Sequence, residues 1–177
     1  MLWTYLYGEK YGLINYMLGL FSIPPVNWLN SSNWWVVIGA IAFVQVWKGI
    51  GSSMILLLAG MQNISKEMQE AAEIDGANGW NYFIKIVFPL VSPMVFLVLI
   101  LSTISAFGAF DVFLSMWGAN VTTVPDRNLV PNMLIYRDAF MLTKMGAASA
   151  QAWMLFFIIM VITLFQRFFE KKWVHYE

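Results

Sequence analysis

Three long stretches of this chain are apolar all the way round a helix, not along one face. Residues 86–110 carry no charged side chain, and residues 145–166 carry none before Arg167 closes the run. Residues 34–60 form a third stretch, interrupted by Lys48 alone. A bilayer core about 30 Å thick needs roughly 20 apolar residues of helix to cross it. The runs are continuous, without the alternation of a membrane barrel strand. The pattern predicts an all-α integral membrane fold with about three full transmembrane helices, at about 34–60, 86–110 and 145–167.

The first 33 residues are less regular. Leu13 to Ile23 is an eleven-residue apolar stretch that ends at Pro24-Pro25. It is too short to span and reads as an interfacial or re-entrant segment. Trp28, Trp34 and Trp35 mark the approach to the membrane, because an indole is apolar in body yet carries an N–H that wants a partner.

Composition narrows the picture further. The 177 residues are 60% hydrophobic and 11% charged, against about 25% charged residues in ordinary soluble domains. Ten basic and ten acidic residues leave a net charge of zero, which argues against a nucleic-acid partner. Without cysteine, disulfide scaffolds, thiolate zinc sites and cysteine nucleophiles are excluded. The single histidine, His175, leaves little room for histidine metal sites or proton relays. No nucleophile–base pair, metal cluster or Gly-rich phosphate-binding lysine motif is present. The chain is therefore not expected to be an enzyme, to hydrolyse ATP or to need a cofactor or metal.

Three spans divide the polar parts between two sides. Lys66, Lys85, Arg167, Lys171 and Lys172 fall on one side; Lys10, Arg127, Arg137 and Lys144 fall on the other. The counts barely differ. The cluster directly after the last span places the C-terminus in the cytoplasm by the positive-inside rule. The loop at 61–85 then shares that side.

This loop is the most informative part of the sequence. Ser65 can cap a helix beginning at Lys66, and Glu67 suits the positive N-terminal end of its dipole. Glu67, Glu70 and Glu73, with Asp75, form an acidic strip, and Lys66 lies four residues from Glu70. Met68, Ala71, Ala72 and Ile74 supply a small, mostly apolar surface. Gly76 stands where a helix stop belongs, and a second short helix, about 78–87, leads to Pro89. A solvated connector would share some of these traits, but the spacing is more specific. Glu70-Ala71-Ala72, Gly76, Ile86 and Phe88-Pro89 resemble the EAA signature of binding-protein-dependent ABC importer permeases. The family pattern is EAA, three residues, G, nine residues, I, one residue, LP. Phe88 in place of leucine is the one departure. Asp75-Gly76-Ala77 also matches the family's usual DGA.

The resemblance continues outside the loop, through Trp47-Lys48-Gly49, Leu58 to Ile64, Ile135 to Phe140 and Gly146 to Ala150. The ending Lys172 to Glu177 is similar to the first permease of carbohydrate importers of the maltose and glycerol-phosphate type. One stretch departs: members usually carry Gly-Gly-Pro after the Phe-Asp, whereas Phe110-Asp111 is followed here by Trp117-Gly118-Ala119-Asn120.

The resemblance implies the C-terminal part of a type-1 permease bundle. Residues 1–33 are then an external remnant of an upstream part, 34–169 the transmembrane domain with its coupling loop at 66–89, and 170–177 a cytoplasmic tail. It implies an N-terminally incomplete copy, beginning at Met1 partway through the family pattern. It also implies the partners: a cytosolic ABC ATPase dimer, a second homologous permease, an external solute-binding protein and membrane lipid. The expected location is the inner cell membrane and the expected cargo a carbohydrate or related polar solute. Glu70, Ala71, Ala72, Asp75, Gly76, Ile86 and Pro89 are the ATPase-coupling candidates. An ATPase-independent transporter or channel, or a non-functional truncated permease, are the alternatives.

Lys48 and Asp111 are candidates for the substrate pathway. A lysine at mid-membrane costs roughly 2.5–3.5 kcal/mol on insertion scales, so it either lines a pathway or snorkels and pairs within the bundle. Asp111 either touches substrate or caps a helix. Asp126, Arg127 and Arg137 fall on the outer side and are candidates to meet the binding protein. Gly49, Gly51, Ser52 and Ser53, and Gly146 with Ala150, are small enough for close helix approach. The twelve methionines and fourteen phenylalanines read as ordinary filling of membrane helices.

Overall fold

The computed structural model describes residues 2–74, 77–117 and 129–170. The described residues form helices α1 (Leu2–Leu6), α2 (Leu13–Leu20), α3 (Trp34–Gln62), α4 (Lys66–Ile74), α5 (Gly79–Tyr82), α6 (Phe88–Phe107), α7 (Phe110–Trp117), α8 (Pro131–Tyr136) and α9 (Met145–Glu170). Two π-helical turns, Phe83–Val87 and Arg137–Met141, extend α5 into α6 and prolong α8. Three helical stretches are long and apolar enough to cross a membrane: Trp34–Gln62, Gly79–Phe107 and Met145–Glu170. In the first and third, 11% of the most apolar window is buried within the chain. Lipid or other protein must cover the rest.

The second span differs at both ends from its sequence boundaries. Its helix starts at Gly79, because Asn78 Oδ1 accepts the Asn81 N–H at 2.8 Å and caps it. Lys85 lies inside that continuous helical path, where an apolar-run count stops short. At the other end the helix stops at Phe107, and a tight turn, Phe110 N–H to the Gly108 carbonyl at 2.7 Å, separates it from α7. Asn132 donates to the Phe107 carbonyl at 2.8 Å, which satisfies a carbonyl left open at that helix end.

Two prolines shape this span. The π turn ends immediately before Phe88-Pro89, where a proline ring would crowd the carbonyl four residues back. Pro93 sits inside α6 and cannot donate to the Pro89 carbonyl. Ser92, fully buried, donates its hydroxyl to that same carbonyl at 2.6 Å. Side-chain replacement of this kind is how membrane helices tolerate proline.

The chain divides into two compact units. The first comprises residues 1–48 and 106–157. Its core joins Val37, Ala40, Ile41 and Val44 of α3 to Val112, Phe113 and Met116 of α7, with Tyr7, Ala109 and Met133. The Tyr7 hydroxyl donates to the Ala40 carbonyl at 3.0 Å, and burial pushes its phenol above the usual range, keeping the donor proton in place. Asn15 fixes α2 within this unit through hydrogen bonds to Glu9, Val26 and Trp28. The stretch 13–23 is thus a short helix that closes at a left-handed Ser22 (φ 58°). The Ser22 and Ile23 N–H groups return to the Gly19 and Leu18 carbonyls there.

The second unit comprises residues 49–105 and 158–177. Within it, Gln166 of α9 donates to Thr103 of α6 at 2.7 Å, and α3 approaches α6 closely at Gly60. A Cβ there would stand 2.7 Å from Met94 Cγ, 3.1 Å from Met94 Cβ and 3.4 Å from Val91 Cγ1. Gly60→Ala gains about 1 kcal/mol of helix propensity and loses a similar amount to crowding, so it is expected to be near neutral. Gly60→Leu is expected to destabilise by about 2 kcal/mol, as overpacked cores do. Thermal unfolding of the two variants in detergent checks the contrast; equal midpoints would show that the contact is slack.

Candidate coupling and pathway sites

The coupling-loop candidates lie in the second unit. Ser65 accepts the Met68 N–H at 3.3 Å and caps α4, with Glu67 in its first turn. At the far end the Ala77 N–H returns to the Ala72 carbonyl at 3.0 Å. Glu70 is exposed. Ala72 is only 5% exposed, so its methyl is already covered by this chain. A second apolar surface is open instead: Ile74 is 86% exposed and Trp80 69% exposed, with Trp80 stacked on Phe83 at a ring-centroid distance of 6.2 Å. Ile86 and Pro89 are half-buried, in the π turn and the first turn of α6. Both lie where the loop joins the membrane helix. Asp75 and Gly76 lie outside the described residues, as do the side chains of Ala71 and Glu73. Trp80 was not among the sequence candidates.

The pathway candidates lie in the first unit, where the structure brings them together. Lys48, in the middle of α3, pairs through Nζ with Oδ2 of Asp111 in the first turn of α7. The two stand 63 positions apart in the chain. α7 presses Val112, Phe113 and Met116 into the core and leaves Asp111 and Ser115 exposed, one turn apart. Thr4 donates to the Ser115 carbonyl at 3.0 Å beside them. The two charged side chains keep 58% and 60% of their surface open. Charges at mid-span rarely face lipid; they face a bundle interior, a neighbouring chain or a water-filled path. Arg137 instead turns to Asp138, at 3.5 Å, and is mostly buried. Asp126, Arg127, the stretch 118–120 and the tail 171–177 lie outside the described residues. No group of three or more potential metal ligands occurs among the described residues.

Comparison with known proteins gives the class. The family described as binding-protein-dependent transport system inner membrane component matches residues 4–175. The chain belongs to that family, and with its three apolar helices it is a multi-pass membrane transport component. It is 35% identical over 181 residues to the probable ABC transporter permease protein YesP of Bacillus subtilis (strain 168), a match covering 100% of this chain and 56% of the relative. It is 32% identical over 178 residues to the sn-glycerol-3-phosphate transport system permease protein UgpA of Brucella abortus, covering 100% and 59%. The trehalose/maltose transport system permease protein MalF of Thermococcus litoralis is 33% identical over 162 residues, covering 92% and 53%. The chain thus spans little more than half the length of these relatives. Its fold is that of a chain in the crystal structure of a bacterial alginate ABC transporter in complex with alginate pentasaccharide-bound periplasmic protein. That similarity has a TM-score of 0.73 at 20% identity, over 97% of this chain and 58% of the other.

Proposed function

We propose that this chain is part of the permease of an ABC importer that moves a carbohydrate or related polar solute delivered by an external binding protein. The observation that carries the reading is the EAA pattern at Glu70–Pro89, which falls between the apolar helices α3 and α6, with Glu70 exposed on α4. In this reading residues 34–169 form the transmembrane domain, 1–33 lie outside the cell, and the tail from 170 is cytoplasmic. A separate cytosolic ATPase dimer hydrolyses ATP, and a second homologous permease completes the path. The relatives' names, which include glycerol-phosphate and trehalose/maltose permeases, support a sugar-type cargo.

The chemistry of the loop suits docking against a protein partner. Glu70 offers a carboxylate whose ion pair strengthens once water is excluded. Ile74 and Trp80 supply apolar surface, and buried aromatics are common anchors at interfaces. ATP drives the movement by closing the ATPase subunits, a differential stabilisation of one permease state over another. Lys48 and Asp111 line the path.

Glu70→Lys combined with Gly76→Val tests the coupling role in the full importer. Co-purification of the ATPase is expected to fall at least about tenfold, since reversing a charge at a docked pair costs several kcal/mol. Undiminished association would remove the coupling assignment.

A further inference from the structure

Helix α2 is inside out by the standard of a soluble protein. Its one amide, Asn15, is buried and tied to Glu9, Val26 and Trp28, and Ile14 packs on the core beside it. Leu13, Tyr16, Met17 and Leu20 fall on the opposite face, three and four residues apart, and each is more than half exposed. Phe21, directly after the helix, is exposed too. Large apolar side chains gathered on one open face mark an interaction surface. No charged residue occurs from Tyr11 to Trp47 to suit that face to water.

The place of α2 beside the first span indicates what covers it. The Trp3 ring stands 5.8 Å from Phe43 and 6.3 Å from Trp47, while the Tyr7 hydroxyl meets the Ala40 carbonyl. α1 therefore runs towards the start of α3, and Ala40 lies about 9 Å from that start at about 1.5 Å per residue. Asn15 accepts from the indole of Trp28, whose ring is 5.8 Å from Tyr7, so α2 is held near the same end. There the first turn of α3 exposes Trp34 and Trp35, side chains that favour the boundary of a bilayer. The open face of α2 continues this exposed apolar surface, at the level where hydrocarbon meets headgroups. Lys10 is exposed on the turn before α2 and makes no ion pair among the described residues.

We propose that α2 is a lipid anchor: it lies along the membrane surface with Leu13, Tyr16, Met17 and Leu20 among phospholipid acyl chains, and Lys10 reaches the phosphates. In such an arrangement the apolar face seats about 5–10 Å into the headgroup boundary, and a lysine beside it gains from the negative charge there. Asn15 joins α2 to the segment leading into α3, so the anchor also fixes the depth at which that span begins. The inference rests on α3 being a span; in the proposed function the leaflet is the outer one.

The chain has no cysteine, so Lys10→Cys, Met17→Cys and Leu20→Cys can each carry a single bimane fluorophore, with partner subunits made cysteine-free. The complete importer is reconstituted in vesicles of phosphatidylethanolamine and phosphatidylglycerol. Three quenchers report depth: bromine on the acyl chains, a nitroxide on the lipid headgroup, and iodide in the water. At Met17→Cys and Leu20→Cys acyl bromines are expected to quench at least about threefold more than iodide, as the depth of an interfacial helix requires. At Lys10→Cys the headgroup nitroxide is expected to quench most. Dominant iodide quenching at Met17→Cys and Leu20→Cys would place the face in water. Protection from both quenchers would mean that protein covers it, whether another part of the permease or the binding protein. Either result overturns the anchor, and another quencher dominating at Lys10→Cys overturns the phosphate contact. Retained ATPase association in each variant shows that the assembly is intact. The importer reading is judged separately by the loop variant, so the anchor can fail while coupling stands.

Discussion

Replacing Asn15 with leucine is expected to destabilise the first unit by about 3 kcal/mol or more, from several buried groups left without partners at 1–3 kcal/mol each. Asn15 is 7% exposed, and its amide ties three separate backbone segments together. Nδ2 donates to the Glu9 carbonyl at 3.0 Å and the Val26 carbonyl at 2.9 Å. Oδ1 accepts from the Val26 N–H at 3.1 Å and the Trp28 indole at 2.9 Å. Leucine has similar bulk and satisfies none of them. Asn15→Asp keeps the acceptor, loses both donors and buries a charge, so it is expected to be no better than leucine. Thermal unfolding in detergent checks this. A shift in midpoint no larger than that of an exposed control such as Tyr11→Ala would show that water replaces the amide at little cost.

Gln151→Leu is expected to cost about 2 kcal/mol, the penalty of leaving a buried acceptor unmet, here on a charged group. Asp138 is buried, and Gln151 of α9 donates to its Oδ2 at 2.8 Å. The Arg137 Nε at 3.5 Å is a looser contact that keeps the loss from being larger. The carbonyl of Asp138 also accepts the Lys144 N–H at 2.7 Å, just past Thr143 with its left-handed backbone (φ 52°). The side-chain bond therefore joins α9 to a turn that carries backbone strain. Asp138→Asn has the opposite expectation. Among the described residues Gln151 Oε1 is a buried acceptor without a donor, and an asparagine amide can supply one while removing the buried charge. Near-wild-type stability for Asp138→Asn beside a clear loss for Gln151→Leu is the expected pair of results. A loss of equal size in both would mean that the carboxylate's charge, not its hydrogen bond to Gln151, holds the turn.

Much of this architecture was legible before any coordinates. The spans needed only length and apolar content, because a bilayer asks little else of a helix. The loop was legible because caps act over three or four residues: Ser65 capping α4 is a local event, and the structure contains it. The ends of the second span were less accessible. Lys85 stopped the apolar count, although a lysine near a helix end can reach water along its own stem. The stop at Phe107 depends on a turn around Gly108 and on Asn132, which lies 25 residues away.

The candidate sites divide along the same line. Glu70 and Gly76 are coupling candidates through the resemblance to the EAA signature; Glu70 is exposed, and Gly76 lies outside the described residues. Ala72 read as docking surface, yet the structure buries it, while Ile74 and Trp80 stay open. Which face of a short helix is covered depends on what packs against it, and that is not written into nine residues. Lys48 and Asp111 each admit two readings in the sequence, and nothing there links them. Nothing local couples positions 63 apart; α7 must first seat its apolar face on α3. By itself, then, the sequence determined the membrane class, the number of spans and the cap of α4, since these rest on composition and short-range hydrogen bonding. Only the tertiary structure decided which polar groups meet. In an apolar setting a charge or amide must find its partner in the fold, however distant that partner is along the chain.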